Sequence, residues 1–415
     1  IMTLSPYRVL DFTDERGALC GQILGDLGAD VIKIEPPGGS PERRLGPFLH
    51  DQPHPDRSLS FWAYNRNKRS LTLNLNVAAG REIFERLLDR ADFLIESCRP
   101  GVMRAMGLSY HDLESRHPGL IHVSITPFGQ DGPKADYAAT DITIMAAGGP
   151  LMLYGDDDRA PTRLSLPQAW LHASADGAVG AMIALHERAL SGRGQHVDVS
   201  AQQSVALATQ FGILATAIEA TPFARIAGGI KYGPLRVPLV WRVKDGFVTM
   251  AVLFGQGLGP FTAKLMRYVY DEGGCDAALR DEDWIGFGDK VMSGAEPVAK
   301  FDHLNSVIRE FIASRTKAEL FADAVKHGLL LAPVTTIDEV VVSPQFAARE
   351  YWRMVEHPEL GASFRYPGPF ARFGTTPIQY RRRPPTVGEH NHEILAGELH
   401  IGEGEVSSLK RRGVI

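Results

Sequence analysis

Short apolar runs alternate with stretches of helical spacing through the first 126 residues, and this alternation restricts the fold more than any other feature of the chain. Residues 9–13 (VLDFT), 30–35 (DVIKIE), 69–75 (RSLTLNL), 92–97 (DFLIES) and 120–126 (LIHVSIT) read as strands. Between them lie helical patterns at 17–27 and 78–91, and a shorter one from Ser109. Strands joined by helices of this length form right-handed βαβ units, and the sheet they build is mostly parallel. Ligands of such sheets sit beyond the carboxyl ends of the strands, so residues following Thr13, Glu35, Ser97 and Thr126 are the first candidates for function.

A long helix is expected from Trp170 to about Leu190, with small residues at Ala173, Ser174, Gly177, Gly180, Ala181 and Ala184. Spacings of three and four put them on faces where another backbone can approach closely. GRGQHVDVS (192–200) then reads as a turn feeding a strand. From Lys231 the pattern changes to antiparallel-looking strands around the Asp245-Gly246 turn, followed by helices. The closing stretch is proline-rich, with short β-like pieces and a final helix. The expected organisation is a large domain from 1–215 and 327–415, with a smaller domain over 230–326.

At 415 residues the chain can hold two cores. A net charge of −5 argues against nucleic acid as a partner. No apolar run approaches bilayer length, and the start lacks the features of a signal peptide. Cys20, Cys98 and Cys275 are odd in number and unevenly spaced, which reads as reduced thiols of a cytoplasmic protein.

Several motifs are weak on inspection. PPGGSPERR (36–44) is not a nucleotide P-loop, and GQGLG (255–259) lacks the spacing and the acidic residue of a dinucleotide fingerprint. The pairs His50/His54 and His390/His392 lack a matching third ligand, so no metal is expected. There is no G-x-S-x-G elbow. His172 and Asp176, four residues apart on one helix, could form an acid–base pair, with a supporting surface pair as the plainer alternative.

Taken together, VLDFT, GQILGDLGADVIKIEPPGG, FWAYNRNKRSLTLNL, ESCRPGVMRAMGLS, TPFGQDGP, ATDITIMAAGG, ALHERALSGRGQHVDVS and LLAPVTTIDEVVVSPQF occur in an order that resembles the family III CoA-transferases. That family includes formyl-CoA and carnitine CoA-transferases and the α-methylacyl-CoA racemases. The resemblance implies an α/β fold: a Rossmann-like parallel-sheet large domain built from both chain ends, a smaller α+β domain, and an interlocked homodimer. It implies coenzyme A as substrate and product thioester, with an acyl-CoA and a carboxylic acid as small-molecule partners. Leu73 falls where the family packs the adenine, and Ser97, Cys98 and Arg99 fall along the pocket. Arg104 lies one place from the family's arginine, and Asp141 matches a family aspartate. Lys68, Arg69, Arg99 and Arg104 are expected near the phosphates of the polyanionic ligand.

The transferases use an aspartate at the start of the long helix as nucleophile, forming a mixed anhydride and then an aspartyl-CoA thioester. Counting back from Gly192, that position is Trp170 here, and the racemases' histidine position is Thr140. The loop covering the thioester is Asp14-Glu15-Arg16, one residue shorter than in the family. Glu15, Arg16, His172 and Asp176 are therefore the candidate catalytic residues for CoA transfer between organic acids. The alternatives are a catalytically silent CoA-binding subunit paired with an active paralogue, and a racemase or lyase acting alpha to the thioester.

Overall fold

In the computed structural model, which describes residues 2–218 and 225–415, the expected strands pair into one sheet. They are β1 (Arg8–Phe12), β2 (Asp30–Glu35), β3 (Lys68–Thr72), β4 (Phe93–Glu96), β5 (Ile121–Thr126) and β6 (His196–Ser200), parallel throughout, in the order β3-β2-β1-β4-β5-β6. The order runs outward from β1 to β3, then returns to β4 on the other side. The crevice between the carboxyl ends of β1 and β4 is thus the topological switch point, where ligands of such sheets are held. The α/β class and the Rossmann-like sheet are as the sequence led one to expect.

The intervening helices are α1 (Ala18–Asp26), α2 (Leu59–Tyr64), α3 (Ala78–Leu88), α4 (Val102–Ala105), α5 (Tyr110–Leu113), α6 (Asp141–Ala147), α7 (Ala169–Ser191) and α8 (Ala201–Ala206). The small residues of α7 serve close packing. A Cβ on Gly180 would lie 2.6 Å from Val197 Cγ1, and one on Gly177 would lie 3.0 Å from Ile125 Cδ1 and 3.4 Å from Cys20 Sγ. On the sheet's other face, Leu10, Ile32, Leu71, Leu73 and Leu94 form a core with Phe84, Leu87 and the C-terminal Ile394, Leu395 and Leu409. The chain's end thereby completes the layer begun by its start.

Parallel strands buried on both faces require any interior charge to be paired, and here the pairing is extensive. Asp11 Oδ2 lies 2.7 Å from Lys68 Nζ, and Lys33 Nζ lies 2.6 Å from Glu42 Oε1. Glu35 accepts two bonds from Arg43, at 2.6 and 2.7 Å, and Asp26 pairs with Arg66 at 2.6 Å. Burial acts to raise the pKa of Asp11, but Lys33 and Lys68 outweigh it and hold the carboxyl below its usual range. PPGGSPERR folds into this network: Ser40 N donates to Glu35, and Arg43 lies over the ring of Phe61. It is an ion-pairing loop.

The chain divides into two compact units, 1–151 with 163–218 and 345–415, and 152–162 with 219–344. The second unit holds the antiparallel strands β7 (Gly229–Tyr232), β8 (Leu235–Pro238), β9 (Val240–Val243), β10 (Gly246–Met250) and β11 (Leu331–Pro333). Its core gathers Trp241, Val248, Met266, Trp284, Phe287, Phe301 and Ile308. Because β11 pairs with β10, the stretch 327–344 lies in this unit. GQGLG opens the helix Gly255–Asp271. No described helix is long and apolar enough to cross a membrane.

Candidate active site

The two loops at the switch point are bonded to each other. Asp14 N donates to Ser97 Oγ at 3.0 Å, and Ser97 Oγ donates to Asp14 Oδ1 at 2.9 Å. Arg16 Nε donates to both oxygens of Asp14, at 2.8 and 3.0 Å, and its Nη2 reaches Oδ2 at 2.5 Å. Burial works to raise the Asp14 pKa, yet the Arg16 guanidinium keeps the carboxyl ionised and below its usual range. Ser174 Oγ on α7 donates to Arg16 O at 3.1 Å and so ties the long helix to the same loop. Glu15 follows Asp14, and its carboxyl is raised by desolvation and by the neighbouring Asp14 charge. The structure thus brings Arg16, Ser97 and, through the turn, Cys98 around one crevice, with Glu15 beside them.

Other expected residues stand elsewhere. Leu73, directly after β3, is buried among leucines and isoleucines, with its N–H on Glu35 O at 2.6 Å. Lys68 is fully buried on Asp11, and Arg69 pairs with Asp30, Glu393 and Glu398. Neither cation is free to meet a phosphate, a correction to the expectation from sequence: both begin β3, at its amino end, where the sheet needs counter-charges. Arg99 and Arg104 are exposed and line a cleft of about 460 Å³ with Tyr110, Gln130, Asp136 and His196.

His172 is exposed and Asp176 half-buried, and no hydrogen bond or ion pair joins them. Asp141 has a clear structural role. Its Oδ1 accepts from Gln168 N at 2.6 Å and Ala169 N at 2.7 Å, capping the start of α7. Trp170, one residue on, is buried with 8% of its surface exposed. Of the histidines weighed as metal pairs, His390 Nδ1 accepts from Ser70 N, and the exposed His392 bonds Glu403. Among the described residues no group of acidic, histidine or cysteine side chains is arranged to hold a metal ion.

Sequence reasoning missed a second cluster on the sheet face toward the cleft. Glu96, Ser124 and His122 are buried, and His196 is half-buried beside them. Ser124 Oγ lies 2.9 Å from His196 Nε2, and Glu96 Oε2 accepts from Cys98 N at 2.6 Å. The available signal was the i, i+2 spacing of His122 and Ser124 in a strand that reads as apolar.

A parallel α/β sheet with polar loops joined at its switch point defines a ligand-handling enzyme scaffold. The chain belongs to the CoA-transferase family III, whose model matches residues 4–391. It is 35% identical over 415 residues to a succinyl-CoA:(R)-benzylsuccinate CoA-transferase subunit, BbsE, of Thauera aromatica, covering 99% of this chain and 98% of the relative. It is 30% identical over 406 residues to a succinyl-CoA–D-citramalate CoA-transferase of Chloroflexus aurantiacus, covering 96% and 94%. Among solved structures, a CAIB/BAIF family protein from Brucella suis matches with a TM-score of 0.79 at 27% identity, covering 94% of this chain and 98% of that one.

Proposed function

We propose that this chain binds a CoA thioester at the β1–β4 crevice and works as one of two dissimilar chains of a CoA-transferase, the partner supplying the carboxylate nucleophile. The observation that carries this reading is Trp170. Counted back from Gly192, the position the family uses for covalent attack is Trp170, a buried indole at the start of a helix capped by Asp141. An indole has no lone pair suited to attack on an acyl carbon, so the mixed anhydride and the CoA ester cannot form there. His172 and Asp176 are not bonded to each other, and Asp14 is engaged by Arg16 and Ser97.

A subunit named as such among the relatives supports the two-chain arrangement, and two features support the thioester site. The Asp14–Arg16 loop meets the Ser97–Arg99 turn at the switch point. Arg99 and Arg104 stand exposed on the adjoining cleft, where they can meet phosphates. CoA itself is the cofactor, as substrate and product. Succinyl-CoA, the donor named for both relatives, is the proposed CoA donor, with a small organic acid as acceptor.

Incubation with succinyl-CoA and a panel of carboxylic acids, followed by mass spectrometry of the CoA products, tests the reading. The chain alone should give no transfer, and co-expression with an aspartate-bearing paralogue should give a stable pair that does. Full transfer by the chain alone would instead favour a single-chain enzyme using Glu15, whose raised carboxyl pKa is the one feature suited to that role.

A further inference from the structure

Glu96 differs from the other buried carboxylates of the sheet. Among the described residues, Asp11, Asp26, Glu35 and Glu42 each lie against a lysine or arginine. Glu96, 1% exposed at the end of β4, has no such ion pair. The basic group beside it is His122, 3.9 Å away, itself 2% exposed and with neither ring nitrogen hydrogen-bonded. Desolvation and the nearby His196 push His122 down to about 3, so it stays neutral and offers no counter-charge. A buried carboxyl without a paired cation is costly as an anion, and such groups concentrate where proteins use them.

Its contacts lead to the crevice. Glu96 Oε2 accepts from Cys98 N at 2.6 Å, and Ser124 is its register partner on the neighbouring strand β5. Ser97, between Glu96 and Cys98, holds Asp14, and Asp14 holds Arg16. In the other direction Ser124 meets His196, which lines the cleft and stacks on Tyr110 with ring centroids 5.7 Å apart. Polar side chains thus run from the cleft through His196 to Ser124, beside Glu96 in the sheet.

We propose that Glu96 is a positioning residue of the thioester site: its carboxylate anchors the Ser97–Arg99 turn and through it the Asp14–Arg16 loop, and it exchanges its proton with the cleft along Ser124 and His196. This rests on the thioester reading above. The titratable and charged groups facing it are His122 and Ser124 on β5, His196 and Asp198 on β6, Asp14 and Arg16 after β1, and Cys98 on its own turn. Arg99, Arg104, His111, Asp131 and Asp136 stand on the cleft. Burial raises Glu96 to about 7, against the opposing pull of Ser124, Cys98 and Arg16, so the anchor changes charge in the neutral range. The bond to Cys98 N is charge-assisted only when Glu96 is ionised, and such bonds are about twice as strong as neutral ones.

The test compares the full-length wild type with Glu96→Gln, whose side-chain carbonyl can still accept from Cys98 N but cannot titrate. Infrared difference spectra across roughly pH 6 to 8 should show a buried carboxyl titrating near neutrality in the wild type, and the band should be missing from the variant. Succinyl-CoA affinity, measured by calorimetry over the same range, should rise roughly fivefold with pH in the wild type and stay flat in Glu96→Gln. Ser124→Ala removes one of the groups that hold the carboxyl ionised, so it should move the midpoint upward and slow exchange of the carboxyl proton. A wild-type affinity profile retained in Glu96→Gln, or no neutral carboxyl band in the wild type, overturns the proposal. Failure of the wild type to bind succinyl-CoA at any pH removes the thioester reading and the coupling with it, and the infrared band then reports separately on the Glu96 proton.

Discussion

Asp11 carries much of the interior electrostatics of the sheet. It sits between Lys33 and Lys68, both fully buried, and Thr13 donates to it through its N–H and hydroxyl at 3.1 and 2.6 Å. Asp11→Ala strands the Lys68 ammonium in the core while Lys33 keeps Glu42, and breaking a buried pair in this way costs about 3–5 kcal/mol. Chemical denaturation should show that loss, with Asp11→Asn intermediate. Glu96 gives the opposite pH signature. Its folded pKa is raised to about 7, so the folded state binds the proton more tightly than the unfolded state does. Stability therefore falls as pH rises through the usual carboxylate range toward 7, by roughly 3 kcal/mol in all, and levels off above. Glu96→Gln should lack that slope and overtake the wild type in denaturant midpoint at about pH 8. A variant that loses stability in parallel with the wild type would contradict the assignment.

The elements were largely legible in the sequence. β2 coincides with the expected 30–35, and α7 runs from Ala169 to Ser191 against an expected 170 to about 190, because long runs of clear periodicity leave little choice. The expected 69–75 strand is shifted to Lys68–Thr72, since Lys68 is drawn inward by Asp11, a contact from another strand that periodicity cannot report. For the same reason the roles of Lys68, Arg69 and Asp141 were not readable from their neighbours in the chain. A lysine opening a strand looks the same in sequence whether it meets a phosphate or a buried aspartate. Asp141 takes its role from tertiary structure as well, since it caps a helix that begins 28 residues later. Asp141→Ala removes the acceptor for two N–H groups and should cost about 1 kcal/mol. Because Trp170 lies in the first turn it secures, the variant should also shift tryptophan emission, and Asp141→Asn should restore most of both.

At the scale of the whole molecule, family membership, the sheet order and the bonded loops at the switch point converge on CoA chemistry, and the proposed reading of Trp170 assigns the nucleophile to another chain. A chain that keeps the scaffold and loses the nucleophile has a use when another chain provides one. On that proposal covalent catalysis takes place on the partner and not on this chain, and trapping the intermediate tests it. Each chain of the active enzyme, quenched during turnover with succinyl-CoA and treated with borohydride or hydroxylamine, can be weighed intact and mapped by peptide mass spectrometry. The predicted result is an unmodified mass for this chain, with the trapped carboxylate on its partner. Trp170→Asp is the positive control that could place an adduct on residue 170. A trapped acyl or CoA adduct on Glu15, Asp176 or any other carboxylate of the wild-type chain would be incompatible with that division of labour.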